Sequence, residues 1–522
     1  MSAGVLERLD TAVPEKERSP DADWLIAGGL TIVVLVLLAV NIDGFPAASD
    51  DEGTYLAQAW AVQEGRGLAH YTYWYDHPPL GWIQLAALAW LPGLLLPGLT
   101  AVVAGRIAML PVQAAMLLLI YLVGRRAGMP RWGAALALLT CGLSPLFLTM
   151  GRQIYLDSFA VTWMLGALAL ALSTRRHLWH FAASGAAAAV AVLSKETILL
   201  VVPAVLLALW QNTARSTVRP WAVGSWFTGL VLVGGFYPLY ALLRGELFPG
   251  EGHVSLIGAW QFQLMSRSGS GSVLESSSGT YALLHSWLYY DPVILVAGLV
   301  ATVPALAVRR LRPVGLAAAL LTVMALRPGG YLPAMYVVQV LPFFALAIAG
   351  VVVAAATRRT VAAATRRTVA AATRRAVAVA VCAALALAYV APHWYVGADR
   401  ALTDTANAPY AEAAGYLSTR IPDRADATVV VDDVLWLDCV DAGYEPDRVL
   451  WFYKLDLDSA VAARLPHGWT DVDYIVSSPA LRQDPSGLPT VAALLDHSTT
   501  IATFGPPEGR IEIRRVDKET TP

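Results

Sequence analysis

Eleven apolar runs of roughly membrane-spanning length dominate this chain and limit it to a bundle of helices in a bilayer. They fall at 24–41, 101–123, 131–150, 156–173, 178–193, 197–211, 221–241, 290–308, 314–326, 332–355 and 376–391. Crossing the hydrocarbon takes about 20 apolar residues, with about 17–25 common. The runs at 178–193, 197–211 and 314–326 are short, so tilted or partly buried helices are expected there. Residues 79–96 form another apolar stretch, but Pro-Gly pairs at 92–93 and 97–98 bracket its end, which predicts an interfacial or re-entrant helix. Charged residues make up 15% of the 522, against about 25% in soluble chains.

Orientation follows from where Lys and Arg fall. Arg125, Arg126 and Arg131 lie between the second and third runs, followed by Arg175 and Arg176, Arg215 and Arg219, and Arg309, Arg310 and Arg312. A last cluster holds Arg358, Arg359, Arg366, Arg367, Arg374 and Arg375. With eleven spans and a cytoplasmic N-terminal tail (1–23), every cluster lands inside. The regions 42–100, 151–155, 242–289 and everything after 392 are then outside, which describes a multi-pass protein of the plasma membrane. The tail shows no cleavage-site pattern, so the first run reads as a retained span. Basic residues scattered at span ends exclude a nucleic-acid surface. Cys141, Cys382 and Cys439 are too far apart to suggest a disulfide framework or a thiolate metal site.

Two further regions stand out. An eight-residue repeat, Ala-Thr-Arg-Arg-Thr-Val-Ala-Ala, runs nearly three times between 356 and 379, with its Arg-rich part at 356–375. Eight residues exceed two helical turns by about 80°, so the arginines spiral around a helix. A topology role and contact with anionic headgroups both fit. From 392 to 522 the composition becomes that of a soluble domain. Strands are expected at 427–431, 449–453, 474–476, 499–504 and 511–515, with helical pattern at 408–419, 457–464 and 490–496. Alternating strands and helices predict a small α/β domain, and the membrane part is then 24–391.

The outside loop at 42–100 carries Ser49-Asp50-Asp51-Glu52-Gly53-Thr54-Tyr55 and, further on, Tyr73-Trp74-Tyr75-Asp76-His77-Pro78-Pro79-Leu80. An interfacial aromatic belt accounts for the rings but not for the acids, so this loop reads as the working site. Asp51-Glu52 followed by Tyr55, then Asp76-His77-Pro78-Pro79-Leu80, resembles the first external loop of polyprenyl-phosphate-sugar-dependent glycosyltransferases of fold type C. That group includes the protein O-mannosyltransferases and the lipid A aminoarabinose transferases. The resemblance extends through about residue 345 at the level of motifs. It implies a helical polytopic membrane enzyme that moves a sugar from a polyprenyl-phosphate carrier to an extracytoplasmic glycan, lipid or protein, with inversion.

Such a transfer needs a base for the acceptor's proton, a stabiliser for the departing phosphate and a groove for the isoprenoid. By the resemblance Asp51 is the base, with Glu52, Asp76 and Asp157 as further acids of the site and Tyr55 beside them. Asp50 is expected to cap the helix that begins near Gly53. Pro78-Pro79 starts the next helix and holds Asp76 and His77 at a fixed angle; many relatives carry Glu-Lys at these two positions. Glu52, Asp76 and His77 are the candidates for a divalent metal. Arg152 and Lys195 are candidate partners of the phosphate. Asp157 also fits a helix N-cap, and Lys195 with Glu196 also fits a local salt bridge in a hairpin. Arg327 and Tyr331 resemble an Arg-Tyr region of relatives, although here they stand four residues apart. The Gly/Ser-rich loop at 242–289 suits a lid. Two other classes compete: a transporter or flippase of lipid-linked sugars, which would show internal repeats, and a noncatalytic envelope scaffold.

Overall fold

The computed structural model describes residues 20–66, 77–214, 216–250, 255–327, 329–365, 388–483 and 487–518. Its membrane part opens with α1 (Pro20–Ala39), α2 (Asp50–Gln63), α3 (Leu80–Leu95) and α4 (Ala101–Arg126). It continues through α5 (Arg131–Gly142), α6 (Leu156–Ala171), α7 (Leu178–Ser194), α8 (Val202–Asn212) and α9 (Arg219–Gly234). The helices α10 (Gly279–Tyr290), α11 (Pro292–Ala307), α12 (Arg312–Ala325) and α13 (Tyr336–Thr365) complete it. One apolar core joins α1, α2, α4, α6, α7, α12 and α13.

Four helices, at 21–39, 101–126, 219–243 and 336–357, are long and apolar enough to cross a membrane, and the α10–α11 pair, bent by 105°, would make a fifth. Shorter apolar helices at 80–95, 156–171, 178–194 and 196–212 surround them. Eleven full-length spans are thus more than the described helices supply by length and composition. The reason is local. Ser144 and Pro145 break the run at 131–150 into α5 and a six-residue helix, Pro145–Met150. Pro292 lacks an N–H and starts α11 afresh behind Asp291, whose side chain caps it. The run at 197–211 begins as a 3-10 turn, Glu196–Val201, before Pro203 sets α8. The final expected span, 376–391, lies largely outside the described residues, as does most of the Arg-rich repeat; a helix at 388–403 leads on.

Small residues let α7 and α9 cross closely. A Cβ on Gly185 would sit 1.9 Å from the Trp226 carbonyl oxygen, and one on Gly229 would sit 2.0 Å from that of Ala182. Glycine pairs of this kind are how helices approach when lipid offers no hydrophobic drive. At the opposite end of the first helix, Asp23 gathers the basic cluster: Arg125 and Arg131 approach its carboxylate at 3.1 Å, and Tyr121 donates to it at 2.9 Å.

Beyond 403 the chain forms α14 (Ala408–Arg420), α15 (Asp433–Asp441), α16 (Pro489–Asp496) and five strands: β1 (Val429–Val431), β2 (Val449–Trp451), β3 (Tyr474–Ser477), β4 (Ser498–Phe504) and β5 (Ile511–Val516). The sheet order is β2-β1-β3-β5-β4. Strands β2, β1 and β3 are parallel, and β5 runs antiparallel to β3 and β4. Period-two alternation divides the side chains between two cores. Val429, Val431, Val449 and Trp451 face α14 and α15, whereas Val430, Leu450 and Ile475 face α16. Burial on both faces is why these strands read as unbroken apolar runs. This unit does not stand apart: Ala57 of α2 belongs to its core, and Val434 of α15 belongs to the membrane core.

Candidate functional site

The acidic stretch at 50–52 opens α2. Its N-cap is Ser49, and the helix starts at Asp50, three residues earlier than expected. Capping therefore falls to Ser49 rather than Asp50, and Glu52 reaches back to accept the Ser49 N–H at 3.1 Å.

Glu52 is wholly buried and serves as the hub of the loop. Arg106, equally buried in the second turn of α4, donates Nε to Oε1 and Nη2 to Oε2, both at 2.8 Å. This is the parallel fork that matches guanidinium to carboxylate. The Ile154 N–H adds a bond at 3.2 Å, and Gln153 Nε2 one at 3.4 Å. Arg106 Nη1 also donates to the Ile42 carbonyl at 3.1 Å. Arg152 is buried as well and ties backbone together, donating Nη2 to Leu37 O at 2.7 Å and Nη1 to the carbonyls of Phe45 and Ala401. Neither Glu52 nor Arg152 presents an open polar edge to a substrate.

Asp51, one residue before Glu52 on the helix, is half-buried, and Asp50 keeps solvent contact. Local packing, with Asp432 and Asp51 close by, pushes the Asp50 pKa up to about 6. A carboxyl that holds its proton more tightly when folded costs stability progressively between about pH 4 and pH 6. Asp50→Asn is therefore expected to raise the melting temperature at pH 8 and leave it unchanged below pH 4, as thermal unfolding in detergent at several pH values would show.

A second cluster brings together residues from three distant stretches. His77, at the Pro-Pro motif before α3, meets the turn between α7 and α8. Lys195 Nζ donates to His77 Nε2 at 2.8 Å, and His77 Nδ1 lies 3.2 Å from Glu196 Oε2. A lysine donor at Nε2 makes that nitrogen the acceptor, so Nδ1 carries the proton and gives it to Glu196. Tyr55 of α2 stands beside the ring, with centroids 6.4 Å apart. Beneath lies Asp157, fully buried at the start of α6. Its Oδ1 accepts from Gln339 Nε2 of α13 at 2.5 Å, and the same nitrogen approaches Thr197 Oγ1 at 2.6 Å. Asp157 Oδ2 accepts no hydrogen bond among the described residues. The N-cap of α6 is Tyr155, so Asp157 is not the cap.

His77, Lys195, Glu196, Asp157 and Tyr55 thus form one site around the Pro-Pro motif. Asp76 lies outside the described residues. Arg327 and Tyr331 stand elsewhere, on a turn interlocked with the long Gly/Ser loop: the Arg267 guanidinium stacks 3.6 Å from the Tyr331 ring centroid, and the Ser270 N–H donates to Gly330 O at 2.9 Å. No hydrogen bond or ion pair joins them to the His77 cluster among the described residues. Of the metal candidates, Glu52 and His77 are already committed to other partners. The oxygens of Glu52 are taken by Arg106, both ring nitrogens of His77 are engaged, and no cluster of three His, Cys, Asp or Glu side chains able to hold an ion occurs among the described residues. An apolar groove of about 470 Å³ opens beside the α10–α11 bend, between Tyr289, Pro292, His393, Val396 and Arg400.

Sequence reasoning passed over Arg106, Gln339 and the Asp432-Asp433 pair. Arg106 carries a readable signal, since a lone arginine inside an apolar run must find a partner. Gln339 carries a weaker one of the same kind. Asp432 and Asp433 were visible only as the end of a strand.

The arrangement matches known proteins in fold and in one segment. Residues 76–237, which carry His77, Asp157, Lys195 and Glu196, match the family model of dolichyl-phosphate-mannose-protein mannosyltransferases. Among solved structures, ArnT from Cupriavidus metallidurans bound to undecaprenyl phosphate superposes with a TM-score of 0.58 at 18% identity, covering 97% of this chain and 100% of that one. The apo form of that ArnT gives 0.55 at 17% identity over the same shares. The apo oligosaccharyltransferase of Archaeoglobus fulgidus gives 0.53 at 12% identity, covering 95% of this chain and 74% of that one. No curated protein sequence matches the chain. The protein has a polytopic helical fold shared with membrane glycosyltransferases. In that fold and in its 76–237 segment it resembles the polyprenyl-phosphate-sugar glycosyltransferases of fold type C.

Proposed function

We propose that the chain is a membrane glycosyltransferase that transfers a sugar from a polyprenyl-phosphate carrier to an acceptor outside the cytoplasm. The observation that carries this reading is the convergence of His77, Lys195, Glu196 and Asp157 on one site within the segment that matches the mannosyltransferase model. In this reading Asp51 takes the proton of an acceptor hydroxyl, and the oxygen attacks the anomeric carbon. The bond from that carbon to the phosphate oxygen breaks with its electron pair, leaving polyprenyl phosphate and inverting the configuration. Lys195, held by His77, supplies the positive charge for the leaving phosphate. Asp76 and Asp157 orient groups nearby, and Glu52, Arg106 and Arg152 fix the loop that carries Asp51. Arg327 and Tyr331 border the lid formed by the 242–289 loop. Their part at the phosphate would require that loop to close.

The topology that accompanies it has eleven crossings, several of them short or broken, a cytoplasmic N-terminus and an extracytoplasmic domain at 392–522. Three features support it: the arginine clusters on alternate loops, Asp23 among Arg125 and Arg131, and the sheet domain seated on the acidic loop. The acceptor class, a glycan, a lipid or a protein, is set by surfaces beyond this site. A transporter of lipid-linked sugars finds no half-to-half repeat in the sequence to support it, and a scaffold has no use for a lysine delivered to a histidine.

Removing Lys195 tests the site. A charge-assisted hydrogen bond contributes about 1.5–3 kcal/mol, so Lys195→Met should raise the donor KM about 10- to 100-fold in transfer assays with radiolabelled polyprenyl-phosphate sugars. An unchanged KM would take the phosphate away from this cluster.

A further inference from the structure

The sheet domain at 392–522 is joined to the acidic loop more intimately than a tethered domain needs. Asp433, at the first turn of α15, accepts the Thr54 hydroxyl of α2 on Oδ2 at 2.7 Å, and Tyr453 reaches the same oxygen at 3.3 Å. The backbones touch at this point. A Cβ on Gly53 would lie 2.0 Å from the Asp433 carbonyl oxygen, so only glycine lets α2 and α15 approach so closely. About two turns further along α2, Trp60 packs edge-on against Trp436 of α15, with ring centroids 5.2 Å apart. The same helix reaches a second element: Asp438 Oδ1 accepts the N–H of Ala101, where α4 begins, at 2.8 Å. Helix α15 thus holds the starts of both α2 and α4, and α4 is the helix that supplies Arg106 to Glu52.

We propose that Asp433 is a positioning residue for Asp51, and that the C-terminal domain completes the site by fixing the first turn of α2. The inference rests on the reading of Asp51 as the base. Asp51 stands two residues from the Gly53 contact and three from the Thr54 hydrogen bond, so any shift of α15 against α2 is passed to it directly. Misplacing a reacting group by about 1 Å can cost about 100-fold in rate. Asp433 is buried, its Oδ1 accepts no hydrogen bond among the described residues, and burial drives its carboxyl well above the usual range. Asparagine has nearly the same shape and keeps an oxygen for Thr54 and Tyr453.

The full-length protein in membranes provides the test, with sugar transfer from a radiolabelled polyprenyl phosphate as the readout. Asp433→Ala is expected to lower kcat about 100-fold with the donor KM within threefold of wild type, and Asp433→Asn to stay within threefold in both. Thr54→Val removes one hydrogen bond from a half-buried side chain; it should lower kcat about tenfold, and Thr54→Ser should restore it. Should Asp433→Ala fail to fold in detergent, the Thr54 pair decides. A merely structural contact would lower the melting temperature and leave kcat alone. Folded Thr54→Val and Asp433→Ala with wild-type kcat, beside an inactive Asp51→Asn, overturn this inference alone. An active Asp51→Asn overturns the base and the positioning role together.

Discussion

Asp51→Asn is expected to lower the turnover of sugar transfer about 100- to 10,000-fold, the range a positioned general base contributes, while donor binding stays within a few-fold. The substitution is nearly isosteric, and Asp51 makes no structural ion pair among the described residues, so folding should be retained. Its neighbours are committed in ways that leave it the role. Glu52 is locked to Arg106 at 2.8 Å on both oxygens, and Asp50 faces Asp432, with its pKa pushed up to about 6. If Asp50 were the base, Asp50→Asn and not Asp51→Asn would abolish transfer, and the acidic limb of the wild-type pH profile would fall near pH 6.

Arg106→Ala carries the largest expected cost in stability. Breaking a buried ion pair by removing one member costs about 3–5 kcal/mol, because the other charge stays in low dielectric without a partner. Here that orphan is Glu52, on which the Ser49 N–H, the Ile154 N–H and Gln153 also converge. The variant should lose most of its folded yield, read as the monodisperse fraction after detergent extraction. Arg106→Lys should recover part of it, since an ammonium keeps the charge but not the fork. A wild-type melting temperature for Arg106→Ala would show that the pair contributes nothing to the fold.

Much of this molecule was legible in its sequence, for identifiable reasons. Strands β1, β2 and β3 are short apolar runs bounded by turns, β4 and β5 mix apolar with polar residues, and all five stand close to the stretches expected from the sequence. The Pro-Pro motif and the Lys-Glu turn are local signals, and local signals were enough to name His77, Lys195, Glu196 and Asp157. That these residues meet is a tertiary fact, and no spacing encodes it. The same holds for Glu52. As an acid in an acidic loop it reads as chemistry, and only the fold shows Arg106 arriving from 54 residues away to claim it. The carbonyl partners of Arg152 at Leu37, Phe45 and Ala401 likewise come from segments that its spacing does not announce. Hydropathy alone does not reveal that Pro145 divides the run at 131–150 into two helices, or that the run at 197–211 opens as a 3-10 turn before Pro203. The docking of α15 on Gly53 left no trace in composition, because a glycine that permits contact looks like any other glycine.

Sugar transfer at a lipid phosphate and transport of the intact lipid differ in where the sugar ends. Membranes containing the protein and its native acceptor would be given a polyprenyl-phosphate sugar labelled in the sugar, and the label followed. Free polyprenyl phosphate should accumulate as label passes to the acceptor, with both signals lost in Asp51→Asn. Label that stays on its lipid and appears only in the opposite leaflet would contradict the account and identify a transporter.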